Sequence, residues 1–221
     1  MKRVGIKKRE LEKYRNLYNA NRFIEGVFSQ IKENYTKERI PYRLSKGNYK
    51  YFSEEYIPIY RYLKYVYGFQ SHILFKHVGI GNQPYDGVVK IGELYKRIEV
   101  SYLYLGKYAN DQQKKLIEDG AAYSYRDAGE LFSQIKKVIL DTARKKAKKP
   151  YGDTLLVLYY ASGEDLYPGE TGMEQEKFAE IIEELQRIKY HAKRVDFFIP
   201  QIKYENEDGK QVKTSKLYRI K

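Results

Sequence analysis

The sequence contains no cysteine and no tryptophan, and only three histidines and two methionines among its 221 residues. Without cysteine, disulfides, thiolate nucleophiles and zinc sites built on thiolates are excluded. The histidines, at positions 72, 77 and 191, do not have the spacing of a local metal-binding pair. No stretch approaches the roughly 18 to 20 apolar residues that span a bilayer, and the first residues lead into charge rather than an apolar signal core. We therefore expect a cytoplasmic protein with no membrane partner.

Positive charge and tyrosine are both in excess. The 42 lysines and arginines outnumber the 29 aspartates and glutamates, which gives a formal net charge of +13, and there are 25 tyrosines. Proteins that neutralise phosphates release condensed counterions, so a basic balance favours a nucleic-acid partner. Tyrosine rings stack on unpaired bases or cover the edge of a core. The charge is equally compatible with a role in solubility or with an acidic partner.

The N-terminal half is predicted from apolar periodicity and turn residues. Apolar residues recur at three- and four-residue steps over residues 8–34, which predicts one long amphipathic helix. Ser53 is a plausible N-cap for a tyrosine-rich helix that runs to about Gly68. Three β-branched or aromatic runs then predict strands over residues 73–78, 85–91 and 94–105.

The C-terminal half is predicted to alternate helices and strands. An amphipathic helix from Asp127 to Lys149 precedes a continuous apolar strand over residues 154–160. A second helix, a strand over residues 194–200 and a terminal hairpin follow. This order indicates an α/β fold with a mixed central β-sheet flanked by helices. We divide the chain into an N-terminal helical extension (residues 1–51), an α/β core (52–200) and a C-terminal β-hairpin tail (201–221).

The second and third strands are joined by Gly92-Glu93, which is typical of a tight type II′ hairpin. In that register Ile91 faces Leu94, and Asp86 lies directly opposite Glu99. Side chains alternate between the two faces of a sheet. One face collects Asp86, Val88, Lys90, Arg97, Glu99 and Ser101. The other, which is the core face, collects Val89, Ile91, Leu94, Ile98, Val100 and Tyr102.

Two opposed carboxylates repel each other, so the pair of Asp86 and Glu99 calls for a cation. Magnesium suits such a site because it takes one or two protein carboxylates and leaves its other positions to water and phosphate. The alternative is a salt bridge, in which Arg97 neutralises Glu99 on the same face without a metal. Both interpretations stay open at the level of sequence.

The segment Pro84-Tyr85-Asp86, the hairpin, and Ile98-Glu99-Val100-Ser101 resemble the core of the PD-(D/E)XK superfamily, the restriction-endonuclease-like nucleases. The order of elements over residues 52–200 is similar to that family's. The resemblance implies that Asp86 and Glu99 bind Mg²⁺ or Mn²⁺ as cofactor and that the substrate is nucleic acid, with double-stranded DNA expected. It also implies a homodimer, because a double-strand cutter needs two active sites.

The sequence departs from the family motif at two places. One residue, Tyr85, separates the proline from the aspartate, and Ser101 stands where the motif has the lysine that orients the attacking water. Lys90 or Lys76, from neighbouring strands, could replace that lysine. Family members also contribute a glutamate from the preceding helix. Glu55 is the candidate here, with Glu54 and Glu25 as alternatives, although Glu55 would equally stabilise the first turn of its helix.

A run of lysines ends the helix before Pro150. These lysines could line a duplex, or they could complement the helix dipole. They are Lys145, Lys146, Lys148 and Lys149. The expected function is that of a metal-dependent DNA endonuclease in which Asp86, Glu99, Ser101, Lys90 and Glu55 act. The alternative is a catalytically degenerate protein of the same fold that binds nucleic acid or another partner. A third possibility is an RNA-binding protein whose tyrosines stack on bases.

Overall fold

The computed structural model describes residues 6–33, 47–79, 84–103, 128–160, 171–205 and 211–221. These residues form seven β-strands in mixed orientation together with α-helices, which confirms the predicted α/β class. They fall into two compact units, one reaching from the N-terminus to Val100 and the other beginning at Ser101. The division lies within one strand, and the three parts proposed from the sequence, residues 1–51, 52–200 and 201–221, stay a prediction.

The first unit begins with two helices instead of the single long one predicted. Helix α1 (Lys8–Leu11) is followed by a two-residue strand β1 (Arg15–Asn16) and then by helix α2 (Leu17–Glu33). The long-helix prediction is wrong because Arg15 and Asn16 pair with a neighbouring strand. The Asn16 side chain then accepts the Asn19 N–H at 2.8 Å and so caps α2.

The next helical segment starts earlier than predicted and contains a π-helical turn. Helix α3 (Asn48–Tyr51) continues through the turn Phe52–Tyr56 into helix α4 (Ile57–Tyr67). Ser53 is therefore not an N-cap, and its hydroxyl instead donates to the Tyr49 carbonyl oxygen at 2.8 Å. Proline at position 58 lacks the N–H that would bond to the preceding turn, which favours a local change of helical pitch there. The helix ends at Gly68, whose φ of 67° suits glycine.

Four antiparallel strands complete the first unit. After β1 come β2 (Ile73–His77), β3 (Gly87–Ile91) and β4 (Leu94–Leu103), each paired with the next as far as β4. The helices cover one face, where Tyr56 lies 5.1 Å from the Phe75 ring. The fully or nearly buried residues of this core include Leu17, Ile24, Phe52, Tyr56, Ile59, Leu63, Phe75, Val89 and Ile98.

The second unit contains the last three residues of β4 and the rest of the described chain. Helix α5 (Ala128–Ala147), strand β5 (Leu155–Tyr160) and helix α6 (Thr171–Gln186) precede strands β6 (Arg194–Glu205) and β7 (Gln211–Arg219). Strand β5 runs parallel to β6, and β7 is antiparallel to β6. The N-cap predicted at Asp127 and the turn of the predicted terminal hairpin lie outside the described residues.

The core of the second unit forms between its helices and its sheet. Its fully buried members include Ile139, Ile181, Leu185, Leu156, Leu158, Val195 and Phe197. This arrangement explains why residues 154–160 are continuously apolar, since a strand with a parallel neighbour and covering helices exposes little surface. Among the helices described, none is long and apolar enough to cross a membrane.

A buried carboxylate joins β6 to β7. Asp196 is fully buried, and its oxygens accept hydrogen bonds from the guanidinium groups of Arg194 (2.7 Å) and Arg219 (2.7 Å). Asp196 and Arg219 are directly opposite each other in the two strands. A buried charge needs such partners, and we assign this cluster a structural role.

Candidate active site

The β3–β4 hairpin has the predicted register. Ile91 is opposite Leu94, and the pairing continues to Gly87 opposite Ile98. Gly92 has a φ of 60°, which the first central position of a primed turn requires. A two-residue loop fixes the register of a hairpin, so this part of the site follows directly from the sequence.

The pairing changes at Asp86, where a bulge replaces the predicted direct opposition to Glu99. The Asp86 N–H donates to the Ile98 carbonyl oxygen at 2.9 Å, although Ile98 already faces Gly87. Two residues of one strand therefore face one residue of the other, which is the pattern of a β-bulge. Bulges re-aim side chains at strand ends, and here the bulge turns the Asp86 carboxylate toward the backbone of β4.

Asp86 is held in place by both strands that flank it. Its carboxylate oxygen Oδ2 accepts the Val100 N–H at 2.8 Å, and its carbonyl oxygen accepts the Val78 N–H at 2.8 Å. Val100 directly follows Glu99, so the Asp86 carboxylate is bound beside the backbone of the second predicted metal ligand. A carboxylate fixed by backbone donors is preorganised because little conformational freedom remains to be lost when a ligand binds.

Glu99 is almost completely buried, with 5% of its surface exposed. Its neighbours Ile98 and Val100 are buried on the opposite, core face of β4, as the alternation predicts. The salt bridge proposed as an alternative to a metal does not form, because Arg97 lies over the Tyr85 ring, 5.2 Å from its centre, and makes no ion pair with Glu99.

Ser101 occupies the position of the motif lysine, two residues after Glu99 along β4. It is buried, and among the described residues its hydroxyl oxygen has no hydrogen-bond partner. An unsatisfied buried hydroxyl costs free energy unless a ligand or water completes it. The hydroxyl is therefore available to a bound molecule at this point of the strand.

The two lysines considered as replacements for the motif lysine differ in position. Lys90 lies at the hairpin end of β3, about 13 Å along the strand from Asp86 at the usual rise per residue. Its ammonium lies 5.3 Å from the centre of the Tyr95 ring. The structure thus does not bring Lys90 to the carboxylates. Lys76 is opposite Val88, only two residues from Asp86, and is the better placed of the two.

Glu55 lies in the π-helical turn and forms a close pair with His77 at the end of β2. Its carboxylate oxygen Oε2 is 2.5 Å from His77 Nε2. His77 is 2% exposed, and the Tyr51 ring lies 5.7 Å away from it. Its Nδ1 has no hydrogen-bond partner in the part of the chain that the structure describes. The next residue, Val78, is the one bonded to the Asp86 carbonyl oxygen. The alternative in which Glu55 only stabilises a first helical turn is wrong, because α3 begins seven residues before it.

The pair of Glu55 and His77 was not predicted from the sequence. Glu55 is 22 residues from His77, and their contact depends on the π-helical turn and on the packing of the helix over β2. The other candidates for the helix glutamate occupy other positions. Glu25 accepts a hydrogen bond from the Asn21 amide on the surface of α2, and Glu54 occupies the position beside Glu55 in the turn.

The chemistry of the donors suits a hard cation. Asp86 and Glu99 offer carboxylate oxygens, which Mg²⁺ and Mn²⁺ prefer, and Mg²⁺ needs only one or two of them. Within the described part of the chain, no group of three or more histidine, aspartate or glutamate side chains is arranged around one point. A site built only from protein ligands is therefore not formed there, and water or phosphate would have to complete the coordination.

The predicted basic run belongs to the second unit. Lys145, Lys148 and Lys149 are exposed at the end of α5, and Lys146 is half-buried. Helix α5 ends at Ala147, so the lysines also stand where cations favour the helix dipole. Their structural and their binding interpretations both fit this position.

Comparison of the chain with protein-family models, with curated proteins and with solved structures found no significant match in any of the three.

Proposed function

We propose that this chain is a Mg²⁺-dependent DNA endonuclease of the restriction-endonuclease-like type, which hydrolyses phosphodiester bonds in the cytoplasm. The observation that carries the proposal is the position of Asp86, whose carboxylate is tied to the Val100 N–H directly beside the buried Glu99. Two carboxylates at the end of a bulged hairpin, in a chain of net charge +13, suit a cation that contacts phosphate.

In this proposal Asp86 and Glu99 hold the metal ion. Bound Mg²⁺ supplies positive charge for the phosphoryl oxygens and lowers the pKa of a water molecule. The hydroxyl of Ser101 would orient that water in place of the motif lysine, and the ammonium of Lys76 would contact the phosphate backbone nearby. Glu55 acts through His77 and is a positioning residue, because the strand that carries His77 also binds the Asp86 backbone.

The proposed substrate is double-stranded DNA, and the proposed assembly is a homodimer in which each protomer cuts one strand. The exposed lysines at the end of α5 would contact the sugar-phosphate backbone, where cations supply affinity without sequence preference. Their loss should weaken binding to all sequences alike.

A second function is favoured by one observation, the serine at position 101. The same two carboxylates would then bind metal and nucleic acid without cleavage, because no ammonium group follows Glu99 on its own strand. Such a protein would be a binding module with a degenerate site.

The test is an incubation of the purified protein with supercoiled, linear and single-stranded DNA, and with RNA, in Mg²⁺, in Mn²⁺ and in EDTA. We expect cleavage of DNA only with metal, and its loss in Glu99→Gln. Glu93→Gln is the matched control, since Glu93 is an exposed carboxylate in the turn of the same hairpin. Binding without cleavage in either metal would replace the nuclease with the degenerate module, and cleavage that persists in EDTA would remove the role of the metal.

A further inference from the structure

Strands β1–β4 of the first unit have one face that points away from the helices, and this face carries cations and tyrosines. We call it the aromatic–basic face, and it consists of Lys76, Lys90, Arg97, Tyr14, Tyr85 and Tyr95. Lys76 of β2 is opposite Val88 of β3, which is opposite Arg97 of β4, while Lys90 is opposite Tyr95. Successive side chains of a strand point to opposite faces of the sheet, so these side chains lie on the face away from the core residues Phe75, Val89 and Ile98.

Each cation of the face lies over one tyrosine ring. The Lys76 ammonium is 4.8 Å from the centre of the Tyr14 ring, and Lys90 and Arg97 lie over Tyr95 and Tyr85. Neighbouring groups also affect one another: the pKa of Tyr14 is raised first by partial burial and then by Tyr95, whereas Lys90 opposes the increase. The three pairs therefore form one cluster on the sheet and not three separate contacts.

The cluster is partly exposed, and Glu93 is the carboxylate that acts on it electrostatically, at Lys90, among the described residues. Tyr95 is 60% exposed and Tyr14 42% exposed, and Arg97 is exposed as well. Within the described ranges, Lys76, Lys90 and Arg97 have no carboxylate at ion-pair distance. An exposed surface with three cations and no paired acid favours an anionic partner.

The tyrosines distinguish between kinds of anion. A duplex hides the faces of its bases, so it would use the cations but gain little from the rings. An unpaired strand presents both phosphates and base faces, and stacking on aromatic side chains is how proteins hold such strands without sequence preference. Because the rings are already ordered by cations, less side-chain freedom is lost on binding.

The face also leads toward the candidate active site. Every second residue of β4 points to the same side of the strand. Tyr95, Arg97 and Glu99 therefore form one row that runs from the hairpin turn to the carboxylates. A strand lying along this row would pass from the exposed rings to the metal ligands.

We propose that the aromatic–basic face binds an unpaired strand of nucleic acid, with Tyr14, Tyr85 and Tyr95 stacking on bases and Lys76, Lys90 and Arg97 contacting phosphates. The direction of the strand toward Asp86 and Glu99 rests on the proposed nuclease function, whereas the binding itself does not. Under this proposal the segment of the double-stranded DNA substrate that reaches the carboxylates is locally unpaired, as in an overhang or an opened stretch of the duplex.

The experiment measures the fluorescence anisotropy of labelled 12-nucleotide single strands, DNA and RNA, and of a duplex of the same length. It uses Asp86→Asn protein in EDTA, so cleavage and metal binding do not contribute. We expect tighter binding of the single strands. Tyr95→Ala and Tyr14→Ala should each weaken it by about fivefold or more, within the range of base–tyrosine stacking. Tyr95→Phe, which keeps the ring, should bind as well as the parent.

The cations are tested in the same assay by varying salt. Lys90→Gln and Arg97→Gln should each reduce the slope of log affinity against log salt concentration by about 0.7, the contribution of one contact to a single strand. The matched controls are Tyr18→Ala and Arg22→Gln. These residues form an equivalent pair, 4.7 Å apart and with Tyr18 55% exposed, on helix α2, which packs on the opposite face of the sheet.

The proposal is overturned if the single strands do not bind, or if the face variants lose no more affinity than the α2 controls. Preferred binding of the duplex with an unchanged Tyr95→Ala variant would also overturn it and would make the face a backbone contact for paired DNA. Retained single-strand binding in a protein that never cleaves would leave this inference standing and remove only the nuclease.

Discussion

Asp86 and Glu99, the two proposed metal ligands, lie in different local environments. Asp86 is fixed by hydrogen bonds from the Val78 and Val100 N–H groups. Glu99 is almost completely buried two residues before Ser101, whose hydroxyl has no partner among the described residues. A metal ion held by these two acids would bind the folded state only and would therefore stabilise it. This is why we expect metal and stability to be coupled at these residues.

Another buried titratable group makes a pH-dependent contribution to stability. Tyr56 is fully buried in the core of the first unit, and burial raises its pKa to about 12, although the Arg15 guanidinium lowers it in part. The folded-state pKa is above the unfolded value of about 10, so the contribution is complete below pH 10 and is lost as the pH rises toward 12. The loss should total roughly 2 to 3 kcal/mol.

Urea unfolding at pH 9, 10, 11 and 12 measures this effect. Tyr56→Phe cannot ionise at this position, so its free energy of unfolding should decrease by about 2 kcal/mol less than that of the parent over the same range. Parallel curves for the two proteins would show that Tyr56 is not the group responsible.

At the scale of elements, the bulged end of β3 depends on a glycine at its first residue. A Cβ atom on Gly87 would lie 2.8 Å from Ile59 Cδ1, 3.1 Å from the Lys76 carbonyl oxygen and 3.2 Å from Ile98 Cγ2. The neighbouring backbone cannot move without disturbing the strand that binds Asp86. The close approach of helix α4 to the sheet therefore positions the candidate site.

Gly87→Ala should lower the free energy of unfolding by about 1 to 3 kcal/mol, the usual cost of overpacking. The matched control is Gly26→Ala on the exposed side of α2, where no atom lies within 4 Å of the added carbon. There the change should stabilise by about 0.5 to 1 kcal/mol, because alanine favours the helix. Thermal or urea unfolding measures both changes in the free energy of unfolding. Changes of the same sign in Gly87→Ala and Gly26→Ala would contradict the close packing proposed for Gly87.

The elements also show what the sequence could and could not determine. The hairpin register was predictable because Gly92 and Glu93 form a two-residue loop, and the register follows from the loop. The long first helix was wrong because Tyr14 and Tyr18 continue the helical apolar spacing across Arg15 and Asn16, while the pairing of those two residues with β2 depends on residues about 60 positions away.

The candidate site also combines a predictable part with one that its sequence pattern does not indicate. The alternation that buries Ile98 and Val100 was readable, but the bulge at Asp86 adds one residue to one strand, and the hydrophobic pattern contains no signal for it. The contact between Glu55 and His77 similarly needs the π-helical turn, which periodicity does not indicate.

At the scale of the whole molecule, charge and aromatic content fit one interpretation. The net charge of +13 and the 25 tyrosines were visible in the sequence, and the structure shows where six such residues meet on one sheet face. The proposed division of labour is that the two carboxylates bind metal, the aromatic–basic face holds an unpaired strand, and the lysines of α5 contact paired DNA.

The central claim is that Asp86 serves chemistry rather than binding. The most direct measurement compares Asp86→Ala with the parent protein in two assays on the same DNA, cleavage in Mg²⁺ and retention in EDTA. We expect cleavage to decrease by a factor of about 100 or more, as for removal of an electrostatic catalytic group, while retention stays nearly unchanged. Equal loss of cleavage and retention, or cleavage that survives the substitution, would contradict it.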